Sequence, residues 1–200
     1  MNKFCITGGI ACGKSAVSDF LQKKGWEVID TDRIAREQLE PGTEGHKKTV
    51  DAFGVNILNR SHLVDRTLLG RMVLSDPEKR KLLNSILHPL IRSVWNNRLQ
   101  QHLRNSPGVP VVVVIPLLFE TGGEDRFDSV ACVASPFEFQ LERLQQRGMN
   151  ETEARQWIRA QEPVEEKIRK SHVVLWNNGS LELLNHQTEL LEQVWLAQNE

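Results

Sequence analysis

Near the start of the chain, Gly8-Gly9-Ile10-Ala11-Cys12-Gly13-Lys14-Ser15 fits the pattern G-x-x-x-x-G-K-[ST]. Each residue type in it suits the wrapping of a nucleotide's phosphates. Glycines let backbone N–H groups turn inward around the anion. Lys14 brings a mobile positive charge to the β and γ phosphates, and Ser15 offers a hydroxyl to Mg²⁺. A helix starting at this point adds the positive end of its dipole. The residues placed along the triphosphate are therefore Gly9, Ile10, Ala11, Cys12, Gly13, Lys14 and Ser15. Cys12 is expected to contribute as a small loop residue, without chemistry of its own.

Two absences narrow the chemistry. Motor ATPases and GTPases usually end a buried strand in an aspartate that helps hold Mg²⁺. Here the run of valines from 111 to 114 leads to Pro116 instead. No Asn-Lys-x-Asp is present to read guanine; Asn177-Asn178-Gly179-Ser180 does not match it. Asp30 and Asp32 follow the second apolar segment, where a parallel sheet presents strand ends to its ligand crevice. A carboxylate there can accept the proton of an attacking hydroxyl, which suits a small-molecule kinase. It can equally cap the helix that follows. Asp32 is the candidate for the functional role and Asp30 for the structural one. Arg143 and Arg147 stand one helical turn apart. They suit a lid that covers the transferring phosphoryl group with positive charge, or a solvated face paired with Glu138 and Glu142.

The elements that must position these residues follow from periodicity. Residues 3–7 read as a buried strand, 15–24 as a helix stopped by Gly25, and 26–29 as a second strand. Strand, helix and strand within some thirty residues imply a parallel sheet. Residues 33–105 read as mostly helical. The clearest helix opens at Ser75-Asp76-Pro77-Glu78, a capping-box pattern with proline in the first turn. Leu82, Leu83, Ile86, Leu87, Leu90, Ile91, Val94, Trp95, Leu99 and Leu103 follow at helical spacing, and Pro89 should kink or divide it. Residues 109–115 and 130–134 read as strands buried on both faces. Ser135-Pro136-Phe137-Glu138 is expected to open a helix by the same capping logic, closed by Gly148. Asn150 opens the next, 172–175 form the last strand, and Ser180 caps the last helix. Trp95, Trp157 and Trp195 fall at apolar helical positions and are read as core.

The composition agrees with one α/β domain. Two hundred residues suffice for a real core. With 40% hydrophobic and 26% charged residues, wholesale disorder is excluded. Twenty-five Lys and Arg against 26 Asp and Glu leave no basic field for sequence-independent nucleic-acid binding. Cys5, Cys12 and Cys132 form no C-x-x-C pair, so a zinc site or disulfide framework is not expected and a reducing, cytoplasmic setting is. The longest apolar stretch, 109–119, carries two prolines and is too short to span a bilayer.

Taken together, these segments resemble the dephospho-coenzyme A kinase family nearly end to end. The likeness rests on Thr7 to Ser15, on Val28-Ile29-Asp30-Thr31-Asp32-Arg33-Ile34-Ala35-Arg36, on His88-Pro89-Leu90-Ile91-Arg92 and on Pro116-Leu117-Leu118-Phe119-Glu120. It continues in Gln140-Leu141-x-Arg143-Leu144-x-x-Arg147, Ala160-Gln161 and Val173-Val174-Leu175-x-Asn177-x-Gly179. The resemblance implies a P-loop NTPase fold with a five-stranded parallel sheet flanked by helices. Its core would comprise 1–32, 106–135 and 172–200, with a helical CoA-binding insertion over 33–105 and a helical lid over 136–171. It implies transfer of the ATP γ-phosphoryl group, with Mg²⁺, to the ribose 3′-hydroxyl of dephospho-CoA. Asp32 would be the base or hydroxyl orienter, acting with Lys14 and Arg143. Arg36, His88 and Arg92 would lie near the acceptor, with Leu117 and Glu120 supporting its pocket. Ala16, Arg143 and Arg147 would reach ATP, and Asn177 would lie near the adenine end. No nucleic acid, membrane or obligate protein partner is implied.

On residue type alone, His88 and Arg92 are equally polar positions flanking an apolar stripe, and Glu120 could cap the turn at Thr121-Gly122-Gly123. The chain departs from the family pattern at Ala11-Cys12 (commonly Gly-Ser), Ala16 (commonly threonine), Trp157 (often arginine) and Ser171-His172 (commonly Ala-Asp). Lys14, Ser15 and Asp32 are intact, so an active enzyme is expected. The rival readings are another small-molecule kinase, such as a nucleoside or shikimate kinase, and a non-enzymatic nucleotide-binding switch.

Overall fold

A computed structural model describes residues 2–198. Five short strands form one all-parallel sheet in the order β2-β3-β1-β4-β5. The chain runs β1 (Phe4–Gly8), α1 (Lys14–Lys23), β2 (Glu27–Asp30), α2 (Thr31–Gln38), α3 (Glu44–Phe53), α4 (Arg66–Ser75), α5 (Pro77–Asn105) and β3 (Val111–Val114). It continues through β4 (Ser129–Ala134), α6 (Phe137–Gln146), α7 (Glu151–Arg159), α8 (Val164–Lys170), β5 (Val173–Trp176) and α9 (Leu181–Ala197). Every residue of β1, β3 and β4 is buried. That is why these strands read as unbroken apolar runs rather than alternating ones: helices cover both faces.

Two compact units emerge, Met1–Asp30 with Leu99–Glu200, and Thr31–Arg98. In the first, Phe4 stacks on Trp195 with ring centres 4.7 Å apart, and Trp26 closes the aromatic cluster. The Trp195 indole N–H donates to Ser129 Oγ at 2.9 Å, so the cluster fastens α9 to the sheet without orphaning a polar group. Chain leaving β1 turns toward β2, whereas chain leaving β3 turns toward β4. The carboxyl ends of the adjacent strands β1 and β3 are therefore the switch point where open α/β sheets bind ligands. In the second unit Ile34, Ile57, Leu69, Val73, Leu87 and Trp95 are buried, and Arg98 Nη2 meets Glu37 Oε2 at 2.6 Å, tying α5 to α2.

Several local expectations are corrected. Ser75 is not the cap of α5: it ends α4, and Asp76 Oδ1 accepts the N–H groups of Glu78 and Lys79 at 3.0 and 3.2 Å, with Pro77 first in the helix. Backbone hydrogen bonds at this end hold the Asp76 carboxyl below its ordinary range. Pro89 does not divide α5, which runs unbroken for 29 residues. Pro89 and Ser85 lie on the exposed side, where water can take the Ser85 carbonyl that the proline leaves unpaired. Leu82 is exposed rather than part of the buried stripe, and Trp157 is only half-buried. Ser135 does not cap α6, whose N-cap is Pro136 without a side-chain bond. Asn150 and Ser180 do cap α7 and α9, accepting from Glu153 and Leu183. The His172 departure has a structural account: its Nδ1 accepts the Val130 N–H at 3.1 Å, extending the β4–β5 ladder past the strand's start. An aspartate there would offer an oxygen to the same N–H.

Candidate active site

The loop 8–15 closes β1 into α1, and its backbone has the shape a phosphate cradle requires. Gly13 holds φ at +104°, and a Cβ there would sit 2.1 Å from Asn177 Nδ2. Only glycine meets both demands. Gly13 is also the N-cap of α1 and supplies no side-chain acceptor, and no acidic residue lies in the first turn. The helix's leading N–H groups are thus left to an incoming anion. Ala11 adopts φ +57°, a left-handed conformation where the family pattern has glycine. Lys14 Nζ donates to the carbonyls of Gly8 and Gly9 at 3.0 and 2.9 Å, which parks its charge on the inner rim of the loop. Ser15 is exposed at the first turn of α1.

Beneath the loop lies a polar layer that local sequence does not announce. Asn177, 5% exposed at the tip of β5, donates from Nδ2 to Cys12 O at 2.9 Å. Arg143 on α6 donates to Ala11 O at 3.1 Å, to Ser135 Oγ at 2.9 Å and to both the backbone and side-chain oxygens of Asn177. Ser135 Oγ itself donates to Asn177 O at 2.6 Å, which is where its hydroxyl goes instead of capping α6. Gln140, 3% exposed, donates to Ser135 O. Among the described residues no carboxylate pairs with Arg143, so its charge is held by neutral oxygens and stays available to an anion above the loop. The alternative pairing of Arg143 with Glu138 or Glu142 is not formed; Glu142 instead accepts from Gln146. Arg147 lies exposed at the end of α6.

Beside the loop, a cleft of about 400 Å³ opens between Gly9, Phe137 and Gln140 and the turn joining α7 to α8. Gln161 in that turn accepts the Ile10 N–H on Oε1 at 2.8 Å. The fully buried Lys167 of α8 donates to Pro116 O and reaches Glu120 Oε1, each at 2.7 Å. Glu120 therefore does not cap the turn at Thr121; it also accepts the Glu162 N–H at 3.0 Å. Leu117 is half-buried beside it, and its carbonyl accepts from Thr121 Oγ1. Gln161, Lys167, Ser135 and Gln140 were not among the sequence-derived candidates.

The remaining candidates belong to the helical unit. Asp32 is exposed in the first turn of α2, Arg36 exposed one turn later, and His88 and Arg92 half-buried one turn apart on α5. The buried Trp95 and Leu99 continue that stripe at spacings of three and four. Asp30 ends β2, half-buried, paired in register with Val114.

The donor set suits a hard cation bound mainly by phosphate and water. No group of three His, Cys, Asp or Glu that could hold a metal occurs among the described residues. The exposed Ser15 hydroxyl at the cradle is the kind of single protein ligand that Mg²⁺ accepts beside phosphate oxygens and water.

The three cysteines are unpaired and buried. Burial raises the Cys12 thiol above its ordinary range despite the opposing charge of Lys14. Burial and then the neighbouring Cys12 push Cys132 up to about 12. Neither is a nucleophile in this state. No helix among the described residues is long and apolar enough to cross a membrane.

Comparison with known proteins gives a consistent picture. The family model described as dephospho-CoA kinase matches residues 4–182. The dephospho-CoA kinase of Geobacter sulfurreducens is 44% identical over 197 residues, covering 98% of each chain. That of Carboxydothermus hydrogenoformans is 42% identical over 192 residues, 95% of this chain and 92% of the other. Among solved structures, a dephospho-CoA kinase from Campylobacter jejuni superimposes with a TM-score of 0.70 at 27% identity, covering 100% of this chain and 99% of that one.

Proposed function

The chain belongs to the dephospho-CoA kinase family and is a kinase, and from that premise we propose how its own residues carry the transfer from ATP to dephospho-CoA. The loop N–H groups and Lys14 hold the β and γ phosphates. Lys14 exchanges its two carbonyl partners, Gly8 and Gly9, for phosphate oxygens when the nucleotide enters. Ser15 would hold Mg²⁺, which would supply positive charge against the phosphates. Asp32 orients the ribose 3′-hydroxyl and takes its proton as the oxygen attacks phosphorus and the bond to the β-phosphate oxygen breaks. Arg143 and Arg147 complete the positive cage, with Asn177 holding the loop from below. Arg36, His88 and Arg92 bind the acceptor, and Leu117 and Glu120 support its pocket. Transfer is direct, without a phosphoenzyme, so positioning and charge carry the catalysis. The three unpaired buried cysteines suit a reducing cytoplasm. No obligate protein partner is needed for this reaction.

The observation that carries this reading is the cradle: an uncapped helix start at Gly13, Lys14 poised at the rim, and an Arg143 charge balanced by no carboxylate among the described residues. The test combines purified protein with ATP, Mg²⁺ and dephospho-CoA and follows coenzyme A by mass. Enzyme-dependent addition of one phosphate to the acceptor is expected, with at least a hundredfold loss, roughly, in Asp32→Ala. Wild-type turnover in Asp32→Ala would remove its catalytic role; no product from the wild type would remove the reading.

A further inference from the structure

The turn between α7 and α8 is tied to the loops leaving both strands of the switch point. Through Gln161 Oε1 it takes the Ile10 N–H of the loop after β1 at 2.8 Å. One residue on, the Glu162 N–H goes to Glu120 Oε1 after β3. That same oxygen meets the buried Lys167 ammonium, whose other recorded partner is Pro116 O. A fully buried ammonium shared between a carboxylate and a carbonyl resists displacement, so the turn carrying Gln161 is held firmly.

The amide's orientation follows from its partner. A backbone N–H needs an acceptor, so the oxygen of Gln161 faces Ile10 and its NH₂ group faces away. Gln161 lines the cleft of about 400 Å³ together with Gly9 and Gln140. Among the described residues, Nε2 of Gln161 has no hydrogen-bond partner, whereas Gln140 spends its amide on Ser135 O. The ammonium of Lys14, the group that reaches β and γ phosphates, rests on Gly8 O and Gly9 O, immediately before Ile10 in the loop. Gln161 is thus anchored to the loop one residue after the carbonyls on which Lys14 rests.

We propose that Gln161 is a catalytic residue of the phosphoryl transfer, donating from Nε2 to an oxygen of the transferring γ-phosphoryl group while Oε1 keeps its bond to Ile10. This rests on the kinase reading above. A fixed donor aimed at the migrating group strengthens as charge redistributes in the transition state, so its removal should appear in kcat more than in KM.

The test measures kcat and KM for ATP during coenzyme A formation in wild type, Gln161→Ala and Gln161→Glu, with thermal unfolding of each. Gln161→Ala should lower kcat about 10- to 100-fold with KM for ATP changed by no more than about threefold. Gln161→Glu retains an acceptor for Ile10 but puts an anion where the donor was, so it should be slower than Gln161→Ala while unfolding near the wild-type temperature. Gln161→Glu at wild-type kcat would overturn the proposal and leave the side chain as a strut for the turn. A Gln161→Ala effect confined to KM or to unfolding would do the same. A wild type that forms no coenzyme A defeats the kinase reading instead, so the two failures are distinguishable.

Discussion

Arg143 and Arg92 are both arginines on helices, both half-buried, and both assigned to a substrate. Arg143 is built into the backbone accounting of the nucleotide loop: Ala11, Ser135 and Asn177 all rely on its guanidinium as a donor. Arg92 rides in the middle of α5, a helix of 29 residues whose backbone, apart from the Ser85 carbonyl left by Pro89, is served by its own ladder. On the mechanism proposed above, Arg143 is at once a binding group and a folding group. In the helical unit, Ile34, Leu87 and Trp95 are buried on α2 and α5, the elements that carry Asp32, Arg36, His88 and Arg92. Activity and stability should therefore be entangled most strongly at Arg143, whose guanidinium serves the loop's own oxygens.

The sharpest way to break that contrast is a pair of truncations. Arg143→Ala removes the donor of the Ala11 carbonyl and of the Asn177 side-chain oxygen and should cost about 2–4 kcal/mol of stability as well as most activity. Arg143→Lys should recover little, because one ammonium cannot serve acceptors spread around a planar fork. Arg92→Ala should raise KM for dephospho-CoA and lose less stability than Arg143→Ala, which also strips the loop's own oxygens of their donor. Urea titration alongside steady-state kinetics reads both. Equal stability losses at the two positions would abolish the distinction.

The same contrast explains what could be read from the chain alone. The cradle is legible because its demands are local: glycines, a lysine and a serine at fixed spacing between an apolar strand and a helix. The strands are legible for a similar reason, since burial on both faces leaves unbroken runs such as Val111–Val114. The layer beneath and beside the cradle is not. Ser135-Pro136 reads as a helix cap, yet its hydroxyl serves Asn177, 42 residues away. Gln161 meets Ile10 across 151 residues, and nothing in its neighbourhood marks it except the Ala160-Gln161 fragment of the family pattern. Lys167 sits in the charged stretch Glu165-Glu166-Lys167-Ile168-Arg169-Lys170, and it is fully buried. Pro89 shows the converse, a local signal weakened because the affected carbonyl faces water.

A smaller effect sharpens the contrast through pH. Cys5, Cys12 and Cys132 all lie in the nucleotide unit, and none occurs in Thr31–Arg98. Burial, with the nearby Cys12 second, raises Cys132 from 9.0 to about 12 in the folded chain. The unfolded thiol then loses its proton first. Its contribution is complete below pH ~9 and should be lost as pH climbs toward the folded value, at about 1.4 kcal/mol per pH unit. Cys132→Ala should lower stability by about 1 kcal/mol at neutral pH and flatten this alkaline decline. Urea midpoints at pH 8 and 10.5 decide it, and parallel slopes for variant and wild type would mean another group governs the loss.

The smallest effect concerns Ala11, where two forces in the nucleotide unit oppose each other. Its φ of +57° costs a side-chain-bearing residue about 1 kcal/mol, which glycine would avoid. Its methyl, however, packs with Leu144 and Ala154 from the helical hairpin, a contact worth about 0.8 kcal/mol. Glycine would also give the unfolded chain more freedom, by about 0.4–1 kcal/mol. Ala11→Gly should therefore shift stability by no more than about 1 kcal/mol and leave kcat within about twofold. The direction is informative. A gain means backbone strain dominates and the cradle holds its shape against its own sequence; a loss means the hairpin's grip on that methyl sets the loop. A loss of roughly 2 kcal/mol or more would exceed what one methyl and one glycine can supply. It would show that α6 and α7 hold the cradle's conformation, so that stability and nucleotide geometry in this unit are coupled through packing as well as through Arg143.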